Sequence, residues 1–191
     1  LRQHIGLDER LHGIFTDAGR KANIVPEAAS ALWYARSPSL AGLEKLKVRL
    51  LRALEAGADA AGCGFEHHWV KPIYEEIVDS VPLLECYVAN AATLGREVGP
   101  PGEQRVVAST DLGNVSKVVP AIHPMIKVAP TGTPIHTAAF AEYAVSPDGD
   151  RAVLEGAKAM ALTIVDCWSD PRILVDARLG FEAGDVRGRK H

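Results

Sequence analysis

Long helical stripes with too little sheet to cover them set the limits on this chain. Leu43, Leu46, Leu50 and Leu54 recur at helical spacing, and so do Val153, Ala157, Met160, Ala161, Ile164 and Trp168 much further along. A third stripe runs from Leu83 through Leu84, Tyr87, Val88 and Ala91 to Leu94. Helices of this length normally bury their stripes against a sheet of about four strands or more. After residue 80 only two strand-like runs are present, "RVVAS" and "IHPMIKVAP". The second part of the chain is therefore expected to need a covering segment that these residues do not supply.

The first part reads differently. "RLHGIFTDAG" is a short strand ending at Gly19, "ASALWYAR" is a second, and "RKANIVPE" connects them. Pro38 falls where a first helical position belongs, with Ser37 as its cap. Glu44, Lys45, Lys47, Arg49 and Arg52 cover the side of the helix away from the leucines, the pattern of a core-facing helix. The glycines from Gly57 to Gly64 end it. "CGFEHHWV" is strand-like, so residues 10 to about 70 read strand, strand, helix, strand: most of a split β-α-β unit without its first strand. "LRQHI" looks like the last turn of a helix, and the chain opens without methionine, so an upstream portion is expected. Gly95 closes the second helix, the Gly/Pro-rich "GREVGPPGEQ" is a loop, Asp170-Pro171 caps and starts a last helix, and "GDVRGRKH" is a frayed tail. The fold class expected is α/β, with a small α+β unit over residues 1–75 and a second unit of strands and long helices over 80–191.

Composition narrows the partners. Of 191 residues, 47% are hydrophobic and 24% charged, which is globular. Twenty-one Lys+Arg against twenty-four Asp+Glu give a formal charge of −3 with no long basic run, so no nucleic acid is expected. No apolar run reaches membrane-span length and no signal-peptide pattern opens the chain, so neither a membrane nor secretion is expected. Cys63, Cys86 and Cys167 are odd in number and lack metal-type spacing, reading as reduced, partly buried thiols. The expected location is cytoplasmic.

Polar residues concentrate between 109 and 136. His136 leaves the Gly/Pro-rich loop "PTGTPIHT" and could aim its imidazole into a cleft as a metal ligand, or serve structurally. His123 precedes Pro124 and is held in extended backbone. Asp111 in "STDLGN" suits a substrate contact, support for a histidine, or a tight turn, with Gly113 and Asn114 following. Glu66, His67, His68, Glu75 and Glu76 have the right donors for a metal, but His67 and His68 on a strand point to opposite faces and cannot share an ion. No Ser-His-Asp elbow or phosphate-cradling glycine loop is present, which leaves nucleophilic catalysis without a candidate.

Taken in order, "TDAGRKANIVPEAASALWYAR", "STDLGNVSKVVPAIHP" and "PIHTAAF" resemble the aminoacylase and carboxypeptidase-G family of zinc metallopeptidases, specifically its branch of p-aminobenzoyl-glutamate hydrolase-like amidohydrolases. The resemblance spans Leu1 to about Phe181. It implies a catalytic domain with two divalent metal ions, zinc above all, interrupted by a small four-stranded lid that dimerises. Residues 1–75 would be most of the lid, entered midway, and residues 80–191 the C-terminal part of the catalytic domain. His136 matches the family's C-terminal metal-ligating histidine. Asn23 matches a lid asparagine that reaches substrate, and Asp111, Asn114 and His123 fall on the substrate-pocket loop. His12 stands too late in the lid to match its oxyanion-stabilising histidine.

The resemblance also implies what lies elsewhere. The early metal ligands, the bridging acid, the Glu-Glu pair supplying the general base and the lid histidine would all precede Leu1; Glu75-Glu76 resembles that pair only in letters. The implied activity is metal-assisted hydrolysis of the amide bond in a small N-acyl amino acid, dipeptide or aminobenzoyl-glutamate, by a protein dimerised through its lid. The 191 residues by themselves are expected to be inactive, with no catalytic residue among them. The alternative is a non-catalytic binding or oligomerisation module derived from the same family, associating through exposed strand edges.

Overall fold

The computed structural model describes residues 1–99 and 110–184. The expected strand "RVVAS", part of the Gly/Pro-rich loop and the last residues of the tail lie outside the described residues. Two compact units emerge, one of residues 1–76 and one of the described residues from 77 onward. Long helices with a small antiparallel sheet make the protein α+β.

In the first unit a turn of 3-10 helix at Arg2–His4 precedes β1 (Arg10–Asp17) and β2 (Ser30–Arg36), which pair antiparallel with an irregularity between Phe15 and Asp17. Gly13 stands opposite Trp33, and a Cβ at 13 would lie 2.3 Å from the indole Cδ2. Only glycine lets that ring lie across the neighbouring strand. Leu11 is buried with Leu46 and Leu50 of α1 (Leu40–Ala60), and Trp33, Ala35, Leu54 and Trp69 pack around them. A fully buried leucine is worth about 1.5–3 kcal/mol, so these three leucines are the unit's main apolar contribution. On the opposite face Ile14, Leu32 and Tyr34 are exposed.

Helix α1 starts two residues later than its sequence suggests. Ser39, not Ser37, is the cap: its backbone is extended and its hydroxyl accepts from Gly42 N at 3.2 Å. The carboxylate of Glu76 accepts from Leu40 N at 3.0 Å, so a second free N–H is satisfied by a negative group at the positive end of the helix. The C-terminus closes in a Schellman arrangement, with Gly62 left-handed at φ +67°, Gly62 N donating to Asp59 O and Cys63 N to Ala58 O, both at 3.0 Å. Residues 63–70 differ from the expectation: they form no ladder among the described residues. Their side chains still alternate, since His67 stacks on Phe65 at 5.7 Å and meets Trp69 edge-on at 6.3 Å. A strand signal in sequence reports the alternation, whereas a strand needs a partner.

The second unit is helical. It contains α2 (Val81–Thr93), α3 (Leu112–Ser116), α4 (Ala138–Ala144), α5 (Pro147–Ser169) and α6 (Pro171–Ala183). Gly95 ends α2 in left-handed conformation and Asp170 caps α6, accepting from Arg172 N at 3.1 Å, both as read from the sequence. The short helices α3 and α4 occupy what reads as turn and loop. The run "IHPMIKVAP" enters no ladder among the described residues; a single parallel bridge joins Asp79 to Ala121 just before it.

Helix α5 buries the face that its large residues do not mark. Ala152, Ala159, Thr163 and Cys167 are buried, and Ala159 packs with Tyr87 and Ala91 of α2. Val153, Met160, Ile164 and Trp168 of the stripe read from the sequence are 68%, 57%, 48% and 77% exposed. Small side chains are what allow α2 and α5 to approach closely, so the small face is inside and the bulky one out.

Candidate active site

His136 stands apart by its backbone. At φ 62° it is the one non-glycine residue among the described residues in the left-handed region, which costs an L-residue about 1–2 kcal/mol. Its neighbours hold it there. Thr133 N donates to Pro130 O at 3.1 Å around left-handed Gly132, Thr137 Oγ1 donates to Pro134 O at 2.8 Å, and Thr137 caps α4 by accepting from Phe140 N at 3.2 Å. The residue between Pro134 and the capped helix therefore takes a conformation imposed from both sides. His136 itself is exposed. Strain of this kind gathers where a side chain must be aimed.

The other candidates occupy separate places. Asp111 is exposed at the N-cap of α3, and its carbonyl accepts from Asn114 N at 3.0 Å, so Asp111 and Asn114 share one turn. Thr110 Oγ1 accepts from Leu112 N at 3.3 Å within the same turn. His123 is exposed, with its backbone N donating to Asp79 Oδ1 at 3.4 Å. Asn23, exposed, sits in the connection between β1 and β2, inside a turn closed by Ile24 N donating to Lys21 O at 3.2 Å. The structure thus gathers Asp111 with Asn114. Among the described residues no three His, Cys, Asp or Glu converge to hold a metal ion. The residues present do not fit a metal centre by themselves; His136 is a single donor.

The cluster around "EHHW" is accounted for structurally. His67 lies between two aromatic rings and Glu76 caps α1.

A polar seam between α2 and α5 escaped the sequence reading. Asn90 Nδ2 donates to Asp166 Oδ2 at 2.7 Å and to Thr163 Oγ1 at 3.4 Å, and the Cys86 thiol reaches the same carboxylate at 3.5 Å. Thr163 in turn donates to Ala159 O at 2.8 Å. Burial, then the hydrogen bond and charge of Asp166, push the Cys86 thiol above its ordinary value; burial and the same charge raise Cys167. Both therefore stay protonated at neutral pH, which makes them structural thiols rather than nucleophiles. The one-turn spacing of Cys86 and Asn90 was the available signal, yet without α5 beside it nothing gave it a partner. Nearby, Asp170 is held below the usual carboxylate range by its hydrogen bonds with Arg172.

No family model matches the chain. It is, however, similar to the Xaa-Arg dipeptidase of Mus musculus, with 33% identity over 190 residues, covering 95% of this chain and 42% of the dipeptidase. The Xaa-Arg dipeptidase of Homo sapiens gives the same identity over 189 residues, with the same coverage. The chain thus spans about 42% of the length of the curated relatives it matches. The similarity supports kinship with peptidases, a coarser relation than the branch named from the motifs.

Proposed function

We propose that these residues are part of a peptidase that hydrolyses the amide bond of dipeptides or N-acyl amino acids, and that His136 serves its metal centre as one ligand. The observation that carries the reading is the 33% identity with dipeptidases over an alignment spanning 95% of the chain. The left-handed backbone that holds His136 in an exposed loop supports its part. Asp111 and Asn114 on their shared turn, His123 and Asn23 are proposed as substrate contacts. In this reading the remaining metal ligands and the general base come from other parts of the full-length protein, and the 191-residue chain by itself is inactive. Dimerisation through the first unit fits the same reading, since β1 and β2 form a two-stranded sheet with both outer edges unpaired among the described residues.

The test uses the full-length gene product, assayed with dipeptides ending in arginine, with N-acyl amino acids and with aminobenzoyl-glutamate, before and after chelation. Activity is expected to vanish with the metal. His136→Ala is expected to lower kcat/KM by about 100-fold or more, at or beyond the upper end for disturbing the surroundings of a metal ligand, with the melting midpoint unchanged. Full activity in that variant sinks the ligand role, and no hydrolysis of any of the three substrate types sinks the function.

A further inference from the structure

The candidate substrate contacts of the second unit stand in two places, and both lean on the same three residues, Val78, Asp79 and Ser80, just before α2. Val78 and Ser80 are buried and Asp79 is half-buried. Ser116, with no exposure at all, reaches them from one side. Its hydroxyl accepts from Val78 N at 3.0 Å and donates to Gly113 O at 2.7 Å. From the other side Ser80 N donates to Ala121 O at 2.8 Å, and His123 N donates to Asp79 Oδ1 at 3.4 Å. One short segment therefore holds the turn of Asp111 and Asn114 at one end and the backbone of His123 at the other.

A hydroxyl carries one proton and two lone pairs, so Ser116 alone satisfies a buried N–H and a buried carbonyl at once. Helix α3 is five residues long, too short to hold its shape unaided, and Gly113 and Ser116 are its buried residues. The turn is thus fixed through Ser116. Its exposed end is left for other work: Asp111 occupies the N-cap position without a capping bond from its side chain, and Thr110 Oγ1 accepts from Leu112 N instead.

We propose that Ser116 is a positioning residue for substrate binding, clamping the turn of Asp111 and Asn114 to the segment of Val78, Asp79 and Ser80 that also holds His123. This rests on the function proposed above for the role of those three contacts. Ser116 touches no substrate; it sets where the groups that do so stand. A displacement of about 1 Å in such groups can cost on the order of 100-fold in rate, so a buried hydroxyl well away from the reacting atoms has a measurable effect.

The test compares the full-length gene product with Ser116→Ala and Ser116→Thr, each also in a background carrying Asp111→Ala and Asn114→Ala. Dipeptides ending in arginine are the substrates, and bound metal is measured beside kcat and KM. Ser116→Ala is expected to raise KM about tenfold with kcat and metal content close to the parent's, the pattern of binding lost equally from ground and transition states. Ser116→Thr, which keeps the hydroxyl, is expected to recover most of it. In the Asp111→Ala, Asn114→Ala background, Ser116→Ala is expected to lower kcat/KM by less than about twofold more, since the groups it positions are gone. The parent's KM in Ser116→Ala overturns the proposal, as does an equal loss in both backgrounds or a loss that tracks missing metal. If Ser116→Ala fails to fold, Asp79→Ala reads the same segment: a rise in KM is expected that vanishes in a His123→Ala background, and the parent's KM overturns the proposal. Hydrogen exchange needs no turnover. Ser116→Ala is expected to speed exchange several-fold over residues 111–117 and 121–123 together while leaving α6 unchanged, and loosening of 111–117 alone overturns the shared support. A protein that hydrolyses none of these dipeptides yet loosens both stretches breaks only the functional reading.

Discussion

The helices α1 and α5 are nearly equal in length and differ in how they meet water. Helix α1 buries Leu46 and Leu50 and shows Glu44, Lys45, Arg49 and Arg52 outside, so a single apolar stripe is used within its own unit. Helix α5 buries small residues against α2 and leaves Val153, Met160, Ile164 and Trp168 outside. One apolar face is satisfied by the first unit's own hairpin; the other helix has two and, among the described residues, finds a partner for one. Hydrophobic periodicity therefore tells how many faces a helix must bury, and only packing tells which are already covered.

The contrast can be broken most directly from inside. Leu46→Ala removes a side chain with no exposure and is expected to cost about 2–5 kcal/mol in chemical denaturation. A loss below about 0.5 kcal/mol, the range of a surface change, would mean that the α1 stripe is not the core of its unit. Ala159→Leu tests the small face of α5: overpacking against Tyr87 and Ala91 is expected to cost about 1–3 kcal/mol, read by the same titration. Ser39→Ala should cost about 1 kcal/mol if Ser39 is the cap, with Ser37→Ala closer to neutral.

Smaller effects sharpen the picture. Cys86 and Cys167 are protonated at neutral pH in folded and unfolded chains alike and give no pH dependence there. Above the ordinary thiol value of 9.0 the unfolded chain ionises first, so stability falls as pH rises until the folded thiols ionise too. Replacing both by serine should flatten that alkaline slope, and iodoacetamide should label exposed Cys63 well before either. Smallest of all, Met160→Lys in the 191-residue chain should stay within about 0.5 kcal/mol of the parent, because that side chain is already largely in water.

Much of the fold was legible because helices are local. The stripes of α1 and α2, the Asp170 cap, the glycine stops and the two paired strands all follow from neighbours within a few residues. Residues 63–70 and 122–130 show the converse: both carry strand alternation, and neither pairs into a ladder among the described residues, because a strand's partner is non-local information. The helices α3 and α4, five and seven residues long, are too short to print a stripe and read as turns. On α5 the bulky residues drew attention away from the alanines, threonine and cysteine that pack. For the candidate site, residue chemistry was legible and backbone was not: nothing about histidine announces a left-handed conformation at position 136, which its flanking proline turn and helix cap impose.

The contact between Gly13 and Trp33 reaches beyond this one molecule. Any methyl group at 13 would expel the indole from beside Leu11 and Leu46, so an exchange there can persist only together with a smaller ring at 33. In related chains these two positions should change as a pair, while the hairpin's opposite, exposed face drifts freely.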